Sequence, residues 1–224
     1  MRIAKSDRQG MILALIGPAG SGKTTLSSIL TEKFPDEVKL SISVTSRPKR
    51  ESEVDGESYI FVSRDEFMKM VANGEFFEWE ETHGNLYGTL KSTVENSISA
   101  GEDLVLDIDI RGALNFKRVY PRNTIIVFIA VPSFVVLMER LKNRGYISSE
   151  ELNKRLKTAE FEYQKILELH AQGSQIDYVL INDKIENAEA DLIEIRRAEI
   201  CSFKRLHSEI LAKFCEIDSE NKAN

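Results

Sequence analysis

The chain has 224 residues, of which 42% are hydrophobic and 29% charged, and its formal net charge is −6 at pH 7. This length and composition predict one globular domain with its own core and exclude a disordered or fibrous architecture. The acidic balance argues against non-specific nucleic-acid binding, which requires a basic surface. Two cysteines, Cys201 and Cys215, and apolar runs too short to span a bilayer predict a cytoplasmic protein without a disulfide framework or a membrane segment.

Short apolar runs separated by helical patterns follow one another along the chain. The runs are continuous rather than alternating, as in strands that are buried on both faces of a parallel sheet. Strands are predicted at 11–16, 104–108, 125–130 and 178–181, and helices at 23–34, from about 133, at 149–169 and at 187–214. Strands that alternate with helices indicate an α/β fold. Residues 1–10 and 216–224 are polar and are expected to be flexible.

Residues 40–91 interrupt this rhythm with short β-like pieces and turn signals such as Asp55-Gly56. One short helix is predicted after Ser63, because Ser63 and Glu66 have the spacing of a capping box, in which each side chain satisfies the other residue's amide. The segment is rich in polar residues of both signs. It is therefore predicted to be a binding lobe inserted into the domain.

The first predicted strand leads directly into a glycine-rich loop with the spacing of a phosphate-binding loop. Glycines allow successive backbone amides to turn toward an anion, and the dipole of the following helix favours negative charge. Lys23 is expected to reach the β- and γ-phosphates of ATP, and Thr24 to place its hydroxyl on Mg²⁺. The pattern alone does not identify the acceptor, since GTPases, motor ATPases and small-molecule kinases share it. The predicted ATP and Mg²⁺ residues are Gly17, Pro18, Ala19, Gly20, Ser21, Gly22, Lys23, Thr24 and Thr25.

The segments that follow the first helix resemble guanylate kinases in order and spacing. They are Ser43 to Arg50, Glu53 to Gly56, Tyr59 to Ser63, Gly74 to Trp79 and His83 to Thr89. The resemblance extends from about residue 11 to beyond residue 182. It implies an α/β fold in which a three-layer P-loop core with a parallel sheet carries an inserted mixed α/β GMP-binding lobe and a helical lid. A single domain is expected, with its core at 11–39, 92–132 and 170–214, its lobe at 40–91 and its lid at about 133–169.

The resemblance also implies which residues bind GMP. A nucleotide 5′-phosphate carries nearly two negative charges, and arginines can bind it bidentately. The positions that match the family's phosphate contacts are Arg47, Arg50, Tyr59 and Tyr87. Glu78 matches the family's guanine-reading glutamate, whose carboxylate can accept hydrogen bonds from both N1–H and N2–H₂ of guanine. The remaining guanine contacts match Ser43, Thr89 and Asp109.

Two acidic residues are expected near the end of the strand at 104–108. Alternation would place Asp107 and Asp109 on the same face, at the strand ends where ligands gather in open α/β sheets. Asp107 is predicted to lie near GMP and Mg²⁺, contacting the metal through water. For Asp109, a helix N-cap is the structural alternative.

The lid of the family supplies arginines that close over the transferring phosphoryl group and exclude water. The matching residues here are Arg140, Arg144 and Arg155. Asn182 matches the family's segment beside the adenine. The expected reaction is phosphoryl transfer from ATP to GMP, and also to dGMP, in purine nucleotide metabolism, by a monomer or a homodimer.

The sequence departs from the family pattern beside both predicted phosphate arginines. Pro48 follows Arg47 directly, Glu51 and Ser52 follow Arg50 where a Pro-Gly pair is usual, and Arg111 replaces a common glutamine. Two other functions remain open. A non-catalytic binding module for phosphorylated peptides would not need the intact loop, and a kinase for a ribose bisphosphate would not need Glu78.

Overall fold

A five-stranded parallel sheet with the order β2-β7-β1-β8-β9 forms the centre of the protein. The computed structural model describes residues 3–51, 53–57, 59–82, 84–143, 148–173, 175–210 and 212. The strands are β1 (Ile12–Ile16), β2 (Val38–Leu40), β7 (Asp103–Asp107), β8 (Thr124–Ala130) and β9 (Tyr178–Ile181). All neighbouring strands run parallel, which confirms the predicted α/β core.

Helices cover both faces of this sheet. They are α1 (Lys23–Lys33), α3 (Lys91–Ser99), α4 (Ile110–Val119), α5 (Phe134–Asn143), α6 (Ser149–Ala171) and α7 (Ile185–Ile200). Leu13 and Leu15 of β1 pack with Leu26 of α1 and Leu192 of α7. Ile12, Ala14 and Ile16 belong to clusters on the opposite side, which include Ala113 and Phe116 of α4. Successive side chains of β1 therefore pack into hydrophobic clusters on opposite faces of the sheet, which explains why its sequence is continuously apolar.

A second sheet of four strands, with the order β4-β3-β6-β5, lies within the segment predicted to be inserted. Its strands are β3 (Val44–Thr45), β4 (Ile60–Phe61), β5 (Phe76–Thr82) and β6 (Asn85–Leu90), and α2 (Arg64–Ala72) packs on it through Phe67. The predicted capping box is confirmed. The Glu66 amide donates to Ser63 Oγ at 3.2 Å, and the Ser63 amide donates to Glu66 Oε2 at 2.8 Å.

Arg8 and Gly10 are buried against the core, although the sequence predicts a flexible segment at residues 1–10. Arg8 is 1% exposed and its Nη1 donates to Asp103 Oδ1 at 2.7 Å. Arg196 Nε donates to the other carboxylate oxygen of Asp103 at 2.8 Å. Two buried arginines thus share one buried carboxylate, which joins this segment and α7 to the start of β7.

The last predicted helix is shorter than its pattern indicates. It ends at Ile200 instead of residue 214, and a 3₁₀ turn follows at Phe203–Arg205. Arg205 is 1% exposed and donates to the Glu199 carboxylate at 2.7 Å. The chain turns back here because Arg205 is buried against the end of α7, whereas a continued helix would carry it away.

Among the elements of the central sheet and the helices on it, β2, α3 and α4 are not predicted from the sequence, although the N-cap alternative for Asp109 implies the start of α4. β2 has one buried residue, Val38, and is too short to produce a pattern. No helix among the described residues combines the length and the apolar character that crossing a membrane requires. Because the central strands are parallel, the carboxyl ends of β1, β7, β8 and β9 lie along one edge of the sheet, and the candidate site is built there.

Candidate active site

The loop between β1 and α1 has a backbone conformation that requires glycine at three positions. The φ angles are +135° at Gly17, +91° at Gly20 and +99° at Gly22. A Cβ atom at Gly17 would lie 2.4 Å from the carbonyl oxygen of Ile129 in β8. The glycines therefore allow both the left-handed turns and the close packing of the loop on the sheet, a geometry that suits an anion-binding nest.

Lys23, Thr24 and Asp107 form a polar group where this loop meets β7. Lys23 Nζ donates to the carbonyl oxygens of Gly17 at 2.6 Å and Pro18 at 3.3 Å, and lies 3.6 Å from Asp107 Oδ1. Thr24 Oγ1 donates to Asp107 Oδ2 at 2.8 Å. A hydroxyl and a carboxylate that meet in this way supply hard oxygen donors, which suit Mg²⁺. Thr25 is exposed in the first turn of α1.

The predicted phosphate arginines of the lobe converge on one carboxylate. Arg47 donates twice to Glu53, from Nη1 at 3.0 Å and from Nη2 at 2.6 Å, and the Arg50 amide donates to Glu53 Oε2 at 2.8 Å. The bidentate hydrogen bonds of Arg47, followed by that of the Arg50 amide, hold the pKa of Glu53 below its usual value. The hydrogen bonds with Glu53 in turn raise the pKa of Arg47, which stays charged. Glu53 thus orients the Arg47 guanidinium, whose paired N–H groups can bind a planar anion bidentately.

Tyr59 and Tyr87 surround the Arg47 guanidinium. Their rings contact edge to face with centroids 5.9 Å apart, and the guanidinium lies 5.4 Å from the Tyr59 centroid and 5.7 Å from that of Phe61. A hydrogen bond with Tyr87 also contributes to the raised pKa of Arg47. The structure therefore brings the two tyrosines and Arg47 into one cluster.

A β-bulge positions Glu78. Phe76 pairs with Leu90 and Glu78 with Thr89, so β5 has the extra residue Phe77 between two adjacent pairs. Consecutive strand residues normally face opposite sides. Here the Phe77 ring stacks on Phe116 of α4 with centroids 4.0 Å apart, and the Glu78 carboxylate also faces α4. The bulge redirects a side chain, as bulges near active sites do.

The carboxylates of Glu78 and Asp109 meet at the first turn of α4. A Cβ atom on Gly112 would lie 3.0 Å from Glu78 Oε1 and 3.4 Å from Asp109 Oδ1. Burial, followed by the nearby negative charge of Asp109, raises the pKa of Glu78. Asp109 lies beyond the end of β7 rather than on the strand, and its Oδ1 accepts from the Gly112 amide at 2.8 Å. The N-cap alternative is thus correct for Asp109, which also faces Glu78.

Asn115 supports Glu78 from the next turn of α4, and the sequence analysis assigns it no role. Its side-chain amide lies beside the Glu78 carboxylate and opposes the rise in the pKa of Glu78. Its Oδ1 accepts from Arg118 Nη2 at 2.8 Å, which leaves the amide nitrogen to face Glu78. The position three residues after Gly112 on one helix is the signal that could have identified it.

The predicted lid arginines have different surroundings. Arg140 Nη2 donates to the carbonyl oxygens of Asn182 at 2.8 Å and Asp183 at 3.0 Å, so it contacts the loop after β9. Arg155 is on α6 and donates to Glu151 at 2.5 Å, one turn earlier. Arg144 lies outside the described residues.

Glu162 is a second residue that the sequence analysis misses. It is on α6, seven residues after Arg155, a spacing that places both on one face of the helix. Its Oε2 is buried without a hydrogen-bond partner among the described residues. Burial raises the pKa of Glu162, while the charge of Lys23 opposes the rise and that of Asp109 adds to it. The charges of the phosphate loop and of the start of α4 therefore both act on Glu162.

The remaining predicted residues lie at the edges of the two sheets. Ser43 directly precedes β3, and its carbonyl oxygen accepts from the Ile60 amide at 3.0 Å. Thr89 is 5% exposed. Asn182 is 3% exposed and its Nδ2 donates to the Ser21 carbonyl oxygen at 2.8 Å, so its side chain faces the phosphate loop.

Comparisons with known proteins agree with this architecture. The family model described as guanylate kinase matches residues 9–199. A guanylate kinase of Thermotoga maritima is 38% identical over 90% of this chain and 93% of its own length. A guanylate kinase of Maricaulis maris is 41% identical over 96% of this chain and 94% of its own length.

A solved structure gives the same result. The crystal structure of guanylate kinase from Anaplasma phagocytophilum superposes with a TM-score of 0.67 at 32% identity and covers 89% of this chain and 90% of that one. The range that the family model matches includes the loop, the lobe and nearly all of α7. The chain therefore belongs to the guanylate kinase family, the phosphotransferases that convert ATP and GMP to ADP and GDP.

Proposed function

We propose that this chain transfers the γ-phosphoryl group of ATP to GMP across the cleft between the phosphate loop and the start of α4. The observation that carries the proposal is the placement of two acidic residues that are two positions apart in the chain: Asp107 contacts Lys23 and Thr24, and Asp109 meets Glu78 at Gly112. The donor residues and the guanine residues are therefore neighbours at the end of β7. In this proposal residues 11–39, 92–132 and 170–214 form the core, residues 40–91 bind GMP, and residues 133–169 form the lid.

GMP binds through its phosphate and its base. Arg47 and Arg50 hold the 5′-phosphate, with the hydroxyls of Tyr59 and Tyr87 as neutral donors. The support is the cluster of Arg47, Tyr59 and Tyr87, in which Glu53 already shows that Arg47 can bind an anion bidentately. A phosphate at this position would exchange with Glu53 as the partner of the guanidinium.

Guanine lies against β5, β6 and the first turn of α4. The ionised carboxylate of Glu78 accepts from N1–H and N2–H₂, while Ser43 and Thr89 contact O6 and Asp109 completes the guanine side. Support comes from the direct cross-strand pairing of Glu78 with Thr89 and from the shared contact of Glu78 and Asp109 with Gly112. Adenine would leave the partly buried carboxylate without its two donors, which disfavours it strongly.

The transfer itself needs positioning and charge rather than a covalent intermediate. Lys23 stabilises the β- and γ-phosphates, and Arg144 and Arg155 neutralise the phosphoryl group as it moves. Arg140 and Asn182 act at the adenine end of the donor site, where Arg140 contacts the loop after β9. Closure of the lid excludes water, which would otherwise accept the phosphoryl group.

Mg²⁺ is the expected cofactor. Among the described residues, no three His, Cys, Asp or Glu side chains are grouped to hold a metal by themselves. This fits Mg²⁺, which typically binds through substrate phosphates with one or two protein groups and retained water. Thr24 would ligate the ion directly and Asp107 through water, as their 2.8 Å contact allows. The bound ion would neutralise phosphate charge during transfer.

The proposed site also suggests a second acceptor, and the remaining proposals concern location and partners. The contacts assigned to the substrate involve only its phosphate and base, so dGMP is proposed as a second acceptor. We place the reaction in cytoplasmic purine nucleotide metabolism, with no nucleic-acid or membrane partner. The chain acts as a monomer or a homodimer.

A coupled ADP-release assay tests the proposal. With ATP and Mg²⁺, turnover is expected with GMP and dGMP, and not with AMP, UMP or a ribose bisphosphate. Lys23→Ala should abolish turnover at unchanged circular dichroism, because its Nζ lies beside the phosphate loop. Turnover with another acceptor but not with GMP would refute the proposal, and so would GMP binding without any ADP release.

A further inference from the structure

Asn182 occupies a junction between the central sheet and the phosphate loop. It follows β9, and its backbone amide donates to the Ala130 carbonyl oxygen at 2.9 Å, which continues the parallel pairing with β8. Its side chain is buried, with 3% of the residue exposed. The sheet therefore fixes where this amide group lies.

The side chain of Asn182 packs directly on the loop. Its Nδ2 donates to the Ser21 carbonyl oxygen at 2.8 Å, and a Cβ atom on Gly22 would lie only 2.2 Å from Nδ2. Asn182 Oδ1 is buried without a partner among the described residues. The amide orientation is nevertheless determined, because a carbonyl oxygen can only accept.

This hydrogen bond orients one of the amides that face the anion. The peptide unit between Ser21 and Gly22 is trans, so its C=O and its N–H point in opposite directions. Because Asn182 binds the Ser21 carbonyl oxygen, the Gly22 amide is directed away from Asn182. Gly22 is also the N-cap of α1, where an anion gains from the helix dipole.

Arg140 connects the same residue to α5. Its Nη2 donates to the carbonyl oxygens of Asn182 at 2.8 Å and Asp183 at 3.0 Å. The backbone of Asn182 thus binds Arg140 of α5, and its side chain binds the phosphate loop. A shift of α5 would be transmitted to the loop through one residue.

We propose that Asn182 is a positioning residue for the phosphate donor, which aims the Gly22 amide at the donor phosphates and links α5 to the loop through Arg140. The inference rests on the proposed function of the loop as the ATP site. It differs from a contact with adenine, because the side chain faces Ser21 and Gly22.

Asn182→Asp removes the donor and retains the shape. At about pH 8 the kcat/KM for ATP should fall about 10-fold or more, because an ionised carboxylate cannot donate to the Ser21 carbonyl and repels phosphate. The KM for GMP should change less than about twofold, since the contact lies on the donor side. As the pH is lowered toward about 5.5, the kcat/KM for ATP should recover in this variant, because the protonated carboxyl group regains a hydrogen-bond donor.

Two further variants make the test specific. Asn182→Ala should reduce the kcat/KM for ATP by a similar factor, and the value should not recover at low pH. Asn96→Asp makes the same chemical change at an exposed position of α3 and should leave both substrates unaffected. The positioning role would be overturned if the kcat/KM values for ATP and GMP fell equally. It would also be overturned if Asn182→Asp and Asn182→Ala had identical pH profiles of kcat/KM for ATP.

Calorimetric titration with ATP separates this inference from the proposed function. If the unchanged protein binds ATP but does not phosphorylate GMP, the proposed function fails, while the ratio of ATP affinities between the unchanged protein and Asn182→Asp still tests the inference. An ATP affinity that is the same in both at about pH 8 would refute it, because the carboxylate is ionised there.

Discussion

Replacing Gly112 with alanine would place a methyl group against the carboxylate of Glu78. Gly112 lies in the first turn of α4, and alanine is a better helix former than glycine. The new Cβ atom would lie 3.0 Å from Glu78 Oε1 and 3.3 Å from Oε2, closer than ordinary van der Waals contact. The carboxylate must therefore move by a few tenths of an ångström, away from the helix that holds it.

The displacement should reduce recognition of guanine while the fold remains stable. Losing one hydrogen bond to an ionised group costs about 1.5–3 kcal/mol, which corresponds to a factor of about 10–150 in kcat/KM for GMP. The KM for ATP should stay within about twofold of the original value, because the phosphate loop does not contact Gly112. The melting temperature of Gly112→Ala should not decrease.

A double-mutant cycle identifies the cause. In a Glu78→Gln background, Gly112→Ala should have little further effect on GMP, because the two residues act through one contact. An undiminished effect in that background would refute the reasoning, as would an unchanged kcat/KM for GMP in the single variant.

Two other predictions concern the electrostatics of the same carboxylate. Glu78→Gln should weaken GMP use far more than ATP use, and it should also raise Tm at neutral pH. The reason is that burial and Asp109 raise the pKa of Glu78, so the charged form destabilises the fold above that pKa. The gain should disappear below the pKa of an unfolded glutamate, and Glu75→Gln, at an exposed position before β5, should not show it. Asn115→Leu removes a polar amide that lowers the pKa of Glu78, so the fall in kcat/KM for GMP on acidification should begin at a higher pH than in the unchanged protein. Superimposable pH profiles would show that Asn115 does not act on this carboxylate.

The sequence by itself determined the parallel core and the position of the phosphate loop. Each depends on a local pattern, such as the continuous apolar run of β1 or the spacing from Gly17 to Lys23. The capping box at Ser63 is equally local, and the structure confirms it. The loop and the capping box can be predicted because their residues lie within a few positions of one another, and each core strand can be predicted because its own apolar run is short and continuous.

Only the tertiary structure decided how Glu78 meets α4. The bulge at Phe77 depends on pairing with β6, and the contact with Gly112 joins residues far apart in sequence. The same applies to Arg8, which looked like part of a flexible extension and is buried on Asp103. A charged residue gives no local sign that a partner 95 positions away will pair with it, because burial is set by the assembled core.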